Sequence, residues 1–215
     1  MRISCIIRAR ISITRLPGKV PLHLAEPEAL ANVFDRLAVC DTVDDFVVVT
    51  SEYPSDDLPT RWCDPRGVIA FRGNLEDVLD RYYHCAVQTC ADAVVRSTAD
   101  CPVLDPTSVD EVVRGFKAED YDLFFFGGEF PDGPDCAVFS FWALEKALCE
   151  ATLKFERKHV GPYLLNQPQW FSPGGVQKFK GLTHHRSTLG EPTDLAFLGW
   201  RHSCLGGLGV RVAEL

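Results

Sequence analysis

Ile3, Cys5, Ile6 and Ile7 form a short, nearly continuous apolar run with no helical period, which predicts a buried first strand. From Pro27 to Val39 the apolar positions Leu30, Val33, Phe34 and Leu37 fall at helical spacing, and Phe46 to Val49 is a second buried strand. The alternation continues with a helix over 56–63, a strand over 68–71 and a helix over about 75–90. That last helix has Asn74 as its expected N-cap and Glu76 and Asp77 in its first turn. A strand over 93–95 follows, and then Asp105 and Pro106 read as an N-cap with Pro at the first helical position, opening a helix to about Lys117. Residues 123–126 and 136–139 predict strands, and Ser140 caps a helix through Ala151. After Gly161 the pattern weakens, because Pro162, Pro168, Pro173, Gly174, Gly175 and Gly181 break it into short extended pieces. Strands alternating with helices imply an α/β fold with a mostly parallel sheet covered on both faces. Ligands then bind at the carboxyl ends of the strands.

The 215 residues suit a single domain over 1–215, with 165–215 its weakly patterned C-terminal part. Apolar residues make up 46% and charged ones 24%, which excludes disordered and collagen-like classes. The aromatic-rich run from Tyr121 to Phe126 is far shorter than the roughly 20 apolar residues of a membrane span, so no membrane partner is expected. Arg8 and Arg10 interrupt the first apolar run too early for a signal peptide, which makes the cytoplasm the expected compartment. The nine cysteines are scattered without a CxxC pair, fitting neither a disulfide framework nor a zinc knuckle, and most are expected to be buried small hydrophobes in a reducing compartment.

Net charge is −8, which argues against a nucleic-acid partner. Its distribution is informative: Arg2, Arg8, Arg10, Arg15 and Lys19 lie in the first 25 residues with no acid among them. A local basic loop in an acidic chain suits a small polyanion. Two strand ends therefore carry chemistry. After the first strand comes Ala9-Arg10-Ile11-Ser12-Ile13-Thr14-Arg15-Leu16-Pro17-Gly18-Lys19, cationic with hydroxyls. After the strand at 93 comes Ser97-Thr98-Ala99-Asp100-Cys101-Pro102, which holds an acid. Cationic groups neutralise phosphate oxygens, and a carboxylate at a neighbouring strand end can hold the Mg²⁺ that accompanies a nucleoside triphosphate. Neither a Walker A motif nor GxGxxG is present.

Three stretches carry a family resemblance: Ala9-Arg10 with Thr14 to Lys19, Phe71 to Tyr83 (FRGNLEDVLDRYY), and Asp92 to Pro106. In these the chain resembles the SpsF-like branch of the cytidylyltransferases, related to the CMP-sialic acid and CMP-Kdo synthetases. Phe139-Ser140-Phe141 with Ala143 to Ala147, and His159-Val160 with Pro162-Tyr163, extend the likeness, which covers about residues 1–165. The resemblance implies a GT-A-like three-layer α/β/α sandwich that transfers CMP from CTP to a small-molecule acceptor, a sugar acid or related surface-glycan precursor, and releases pyrophosphate. It implies Mg²⁺ as cofactor with Asp100 as ligand, and a catalytic set of Arg10, Lys19 and Asp100. Ala9, Arg10, Ser12, Arg15, Lys19, Arg72 and Thr98 would bind the nucleotide, and Asp77, Arg81 and Asp135 the acceptor. Relatives often pair through the segment after the sheet, so a homodimer is compatible with it.

The chain also departs from the family pattern. Ser12-Ile13 stands for Gly-Ser, Asp132 for Arg, Ala137 for Glu, and Gly190 for the second metal carboxylate. These changes leave open an alternative, a catalytically weakened relative that binds a nucleotide or sugar phosphate in a regulatory or scaffolding role. Individual residues have ordinary explanations too. Asp100 is suited to capping a turn, and Arg72 and Arg81 to surface ion pairs with Glu76, Asp77 and Asp80. His159 reads as a packed, hydrogen-bonded residue, His184 and His185 as structural, and Cys101 as a packing residue.

Overall fold

A computed structural model describes residues 1–10, 27–102, 104–127, 136–177 and 188. Seven strands form one sheet: β1 (Ile3–Arg8), β2 (Asp45–Ser51), β3 (Ile69–Gly73), β4 (Ala93–Thr98), β5 (Leu123–Gly127), β6 (Ala137–Ser140) and β7 (Pro173–Gln177). Their order is β3-β2-β1-β4-β6-β5-β7, parallel throughout except that β6 runs against both its neighbours, β4 and β5.

Alternation along each strand sends apolar side chains to both faces. Ile3, Cys5 and Ile7 of β1 pack with Val48 and Val95 beneath α1 (Pro27–Leu37), α2 (Asp57–Cys63) and α4 (Pro106–Ala118). Ile6, Val47, Val49 and Val94 pack on the other face beneath α3 (Val78–Thr89), α5 (Phe141–Glu150) and α7 (Gly161–Leu165), with α6 (Lys154–His159) resting on α3. The result is the expected three-layer α/β/α sandwich. No helix among the described residues is long and apolar enough to cross a membrane.

Local signals hold where the cap is decisive. Asp105 accepts from Thr107 N and Ser140 Oγ from Ala143 N. The expected cap Asn74 is corrected: its Oδ1 accepts from Glu76 N at 2.9 Å in a tight turn, and α3 starts three residues later with Asp77 accepting from Asp80 N at 3.0 Å. Of the short extended pieces expected after Gly161, Pro173–Gln177 is the edge strand β7, whereas Gly161–Leu165 is corrected to the helix α7. Glycine serves β7 by absence of a side chain: a Cβ on Gly175 would lie 2.7 Å from Phe125 O, and one on Gly174 2.5 Å from the Tyr121 ring.

Candidate active site

β1 and β4 are parallel neighbours in register Arg8 to Thr98, so the two chemically loaded loops leave the sheet side by side. Ala99 N donates to Arg8 O and Ala9 N to Val49 O, both at 3.0 Å, which seats Ala9 and Arg10 between the ends of β2 and β4. Ala9 is buried, and half-buried Arg10 reaches Leu75 O with Nη1 at 3.5 Å. Thr98 Oγ1 lies 3.0 Å from the buried Cys101 Sγ. Asp100, two residues past the end of the central strand β4, is exposed and takes only a long contact of 3.7 Å from the Cys101 thiol. Ser12, Arg15, Lys19, Asp135 and Gly190 lie outside the described residues, as do Ile13, Asp132, His184 and His185.

The Arg72 to Arg81 segment separates into roles that the surface ion-pair reading did not foresee. Arg72 pairs with Asp57 at 2.7 Å and donates to the Ser51 and Tyr53 carbonyls at 2.9 Å, tying β3 to the turn before α2. Both Asp77 oxygens are engaged, Oδ1 as the cap of α3 and Oδ2 with Arg157 at 2.6 Å. Arg81 is fully buried, its stem laid against Gly73, where a Cβ would stand 2.7 Å from Arg81 Cγ. None of its three guanidinium nitrogens has a hydrogen-bond partner among the described residues. Burial and then the Arg10 charge push its pKa down to about 10, so it stays cationic at neutral pH.

The same face holds two arginines that the apolar pattern passed over. Arg8 and Arg96 continue the alternation of Ile6 and Val94 and so project toward α3, half-buried. An arginine at an inward strand position was the available signal. His159, expected to be packed and hydrogen-bonded, is exposed at the end of α6, its ring 4.8 Å from that of Phe155 with no hydrogen bond among the described residues. Partial desolvation of its ring, then the charges of Lys158, Arg96 and Arg8, hold its pKa below the ordinary value.

The cytidylyltransferase family model matches residues 4–191. The chain belongs to the cytidylyltransferase family. It is 34% identical over 171 residues to the uncharacterized protein MJ1063 of Methanocaldococcus jannaschii, covering 80% of this chain and 70% of that protein. It is 33% identical over 113 residues to the spore coat polysaccharide biosynthesis protein SpsF of Bacillus subtilis, 51% of this chain and 47% of that one. Among solved structures, a cytidylyltransferase from Leptospira borgpetersenii superposes with a TM-score of 0.87 at 27% identity, over all of this chain and 90% of the other.

Cytidylyltransferases are nucleotidyltransferases, so the donor set can be tested against a metal. No group of three or more His, Cys, Asp or Glu able to hold an ion occurs among the described residues. Of the two carboxylates in the loop after β4, Asp105 caps α4, while Asp100 is exposed and takes only the long Cys101 contact among the described residues. That fits Mg²⁺, which keeps water and phosphate ligands and uses one or two protein carboxylates. Burial pushes Cys40 and Cys85 up to about 12 and Cys63 to about 11, which argues against these three as thiolate nucleophiles.

Proposed function

We propose that this cytidylyltransferase transfers CMP from CTP to a sugar acid or related surface-glycan precursor and releases pyrophosphate. The observation that carries this reading is the placement of the Ala9-Arg10 loop and the Asp100 loop at adjoining carboxyl ends of β1 and β4, in a chain matched by the family model along most of its length.

Arg10, with Arg15 and Lys19 further along the loop, neutralises the triphosphate oxygens, and Thr98 borders the nucleotide from β4. The acceptor oxygen attacks the α-phosphorus, the bond to the bridging oxygen of the β-phosphate breaks, and pyrophosphate leaves with that electron pair. Charge builds on the transferred group and on the leaving group, so fixed cations at this edge of the sheet lower the barrier without reorganising during the reaction. Asp100 would hold Mg²⁺, which supplies further charge neutralisation on the phosphates. The supply of CTP and the free thiols on the described cysteines favour the cytoplasm as the place of action.

The test is pyrophosphate release from CTP with Mg²⁺ across a panel of sugar acids, sugar phosphates and polyol phosphates. Release with at least one acceptor, abolished by EDTA, is expected. Tight CTP binding without release for any acceptor favours instead a nucleotide-binding relative in a regulatory role.

A further inference from the structure

We infer that Arg8, Arg81 and Arg96, together with the Tyr82 hydroxyl and His159, form a second anion site on the α3 side of the sheet, and that it takes the carboxylate or phosphate of the acceptor. This rests on the transferase reading for the ligand's role, and on the geometry alone for its charge.

Arg8 and Arg96 stand on adjacent parallel strands, paired one step apart through Ile6 with Arg96 and Arg8 with Thr98, and project from the same face. α3 lies across that face and adds Arg81 and Tyr82, both fully buried. The three Arg81 nitrogens and Tyr82 Oη have no hydrogen-bond partner among the described residues. Burial raises the Tyr82 pKa against the opposing charges of Arg96, Arg8 and Arg81, and desolvation and Lys158, then Arg96 and Arg8, lower that of His159, so Arg8 and Arg96 act on both groups.

The carboxylates that would ordinarily settle such charges are engaged elsewhere. Asp56, which partly offsets Arg81, is buried and accepts from Ser51 Oγ. Asp77 is held by Arg157. Directly across from Arg96 on β6 stands Ala137, partly buried on the same face, where the family pattern has Glu. Three guanidiniums without a carboxylate partner among the described residues, in a chain with eight more acids than bases, repel one another until an anion enters. Their planar donor forks match carboxylate and phosphate oxygens. Arg10, whose charge acts on Arg81 more strongly than that of Arg8, joins this site to the triphosphate cations on the loop leaving β1, as an acceptor held beside the transferred phosphate requires.

Inorganic phosphate and, separately, gluconate are titrated into the full chain with CTP and Mg²⁺ present, following the melting temperature and the His159 ring resonances. Saturable binding of one or both is expected, phosphate preference marking a phosphorylated acceptor and gluconate preference a sugar acid. Arg96→Gln removes a half-buried cation, and Ala137→Glu places a carboxylate beside an intact Arg96. Each should weaken anion binding about 10- to 100-fold, the loss of one charged hydrogen bond, with CTP affinity unchanged. Anion binding that is absent, insensitive to both variants, or competed away by CTP overturns the site. Arg96-dependent binding without pyrophosphate release would sink the transferase reading and leave the anion site standing. Release that ignores both variants would do the reverse.

Discussion

The two faces of the sheet treat buried charge differently. On the α1 and α4 face, Arg36 is almost fully buried and its Nε donates to Leu104 O at 2.6 Å. Asp110 accepts from Asp41 N, Thr42 N and Thr42 Oγ1, while Asp105 caps its own helix. On the α3 face, Arg81 is buried more completely and its guanidinium has no hydrogen-bond partner among the described residues. A buried cation without hydrogen bonds costs several kcal/mol, so the sequence would not keep Arg81 for stability alone. On the first face the buried charged groups are hydrogen-bonded, although the Thr50, Thr60 and Ser97 hydroxyls have no partner among the described residues. On the second, Arg81 has no such partner among the described residues, the pattern expected where a ligand rather than the core completes the hydrogen bonding.

The strongest way to break this comparison is at Asp100. Asp100→Asn should lower Mg²⁺-dependent turnover by about 100-fold or more while shifting the melting temperature by no more than about 2 °C, because among the described residues its carboxylate takes only the long Cys101 contact. Activity assays and differential scanning calorimetry check both halves. If the variant instead melts far lower with activity per folded molecule intact, Asp100 is a turn cap.

Next come the two buried arginines. Arg36→Met should cost about 1.5–3 kcal/mol, since it orphans a carbonyl and removes a charged hydrogen bond. Arg81→Met should hold or raise stability, because it replaces a buried cation that has no hydrogen bond among the described residues by an apolar chain of similar length. Urea denaturation of the two variants side by side reads the contrast, and equal losses would erase it. A smaller effect is expected from Gly73→Ala, whose Cβ would press on the Arg81 stem at 2.7 Å. Acceptor affinity should fall more than stability, which overpacking would lower by about 1–3 kcal/mol at most.

Much of this was legible in the chain, and the reasons for the remainder are physical. The buried strands at Ile3 and Phe46 and the caps Asp105 and Ser140 are written locally, in runs and adjacent residues. Asn74 and Asp77 are both competent caps, and the choice fell to Asp77 because Asn74 is spent on a turn. The reversed β6 and the placement of β7 depend on pairings between distant residues, and Gly174 and Gly175 look like loop punctuation until the Tyr121 ring and the Phe125 carbonyl are set beside them. At the site, the basic loop and Asp100 stood out by charge. Arg81 looked like a surface residue, because its burial is decided by Gly73 on a different element, and Arg8 and Arg96 were hidden inside strands.

The smallest predicted effect concerns His159. Its pKa is held down by partial desolvation of its ring, then Lys158, Arg96 and Arg8, so Arg96→Gln should raise it toward the ordinary value. The sign for stability follows. With the folded pKa below the unfolded one, the unfolded state binds more protons just below pH 6.5, and stability falls as pH drops through that window. The fall should be shallower in the variant. NMR titration of the ring, with denaturation midpoints between about pH 5 and 7, measures both.

The most direct measurement is a crystal structure with CTP and Mn²⁺ in place of Mg²⁺, locating the metal by its anomalous scattering. The account predicts an Mn²⁺ peak at the Asp100 carboxylate, shared with a triphosphate lying along the loop from Arg10, with Arg8, Arg81 and Arg96 free of phosphate. A triphosphate seated on Arg8, Arg81 and Arg96, or a metal away from Asp100, would contradict it.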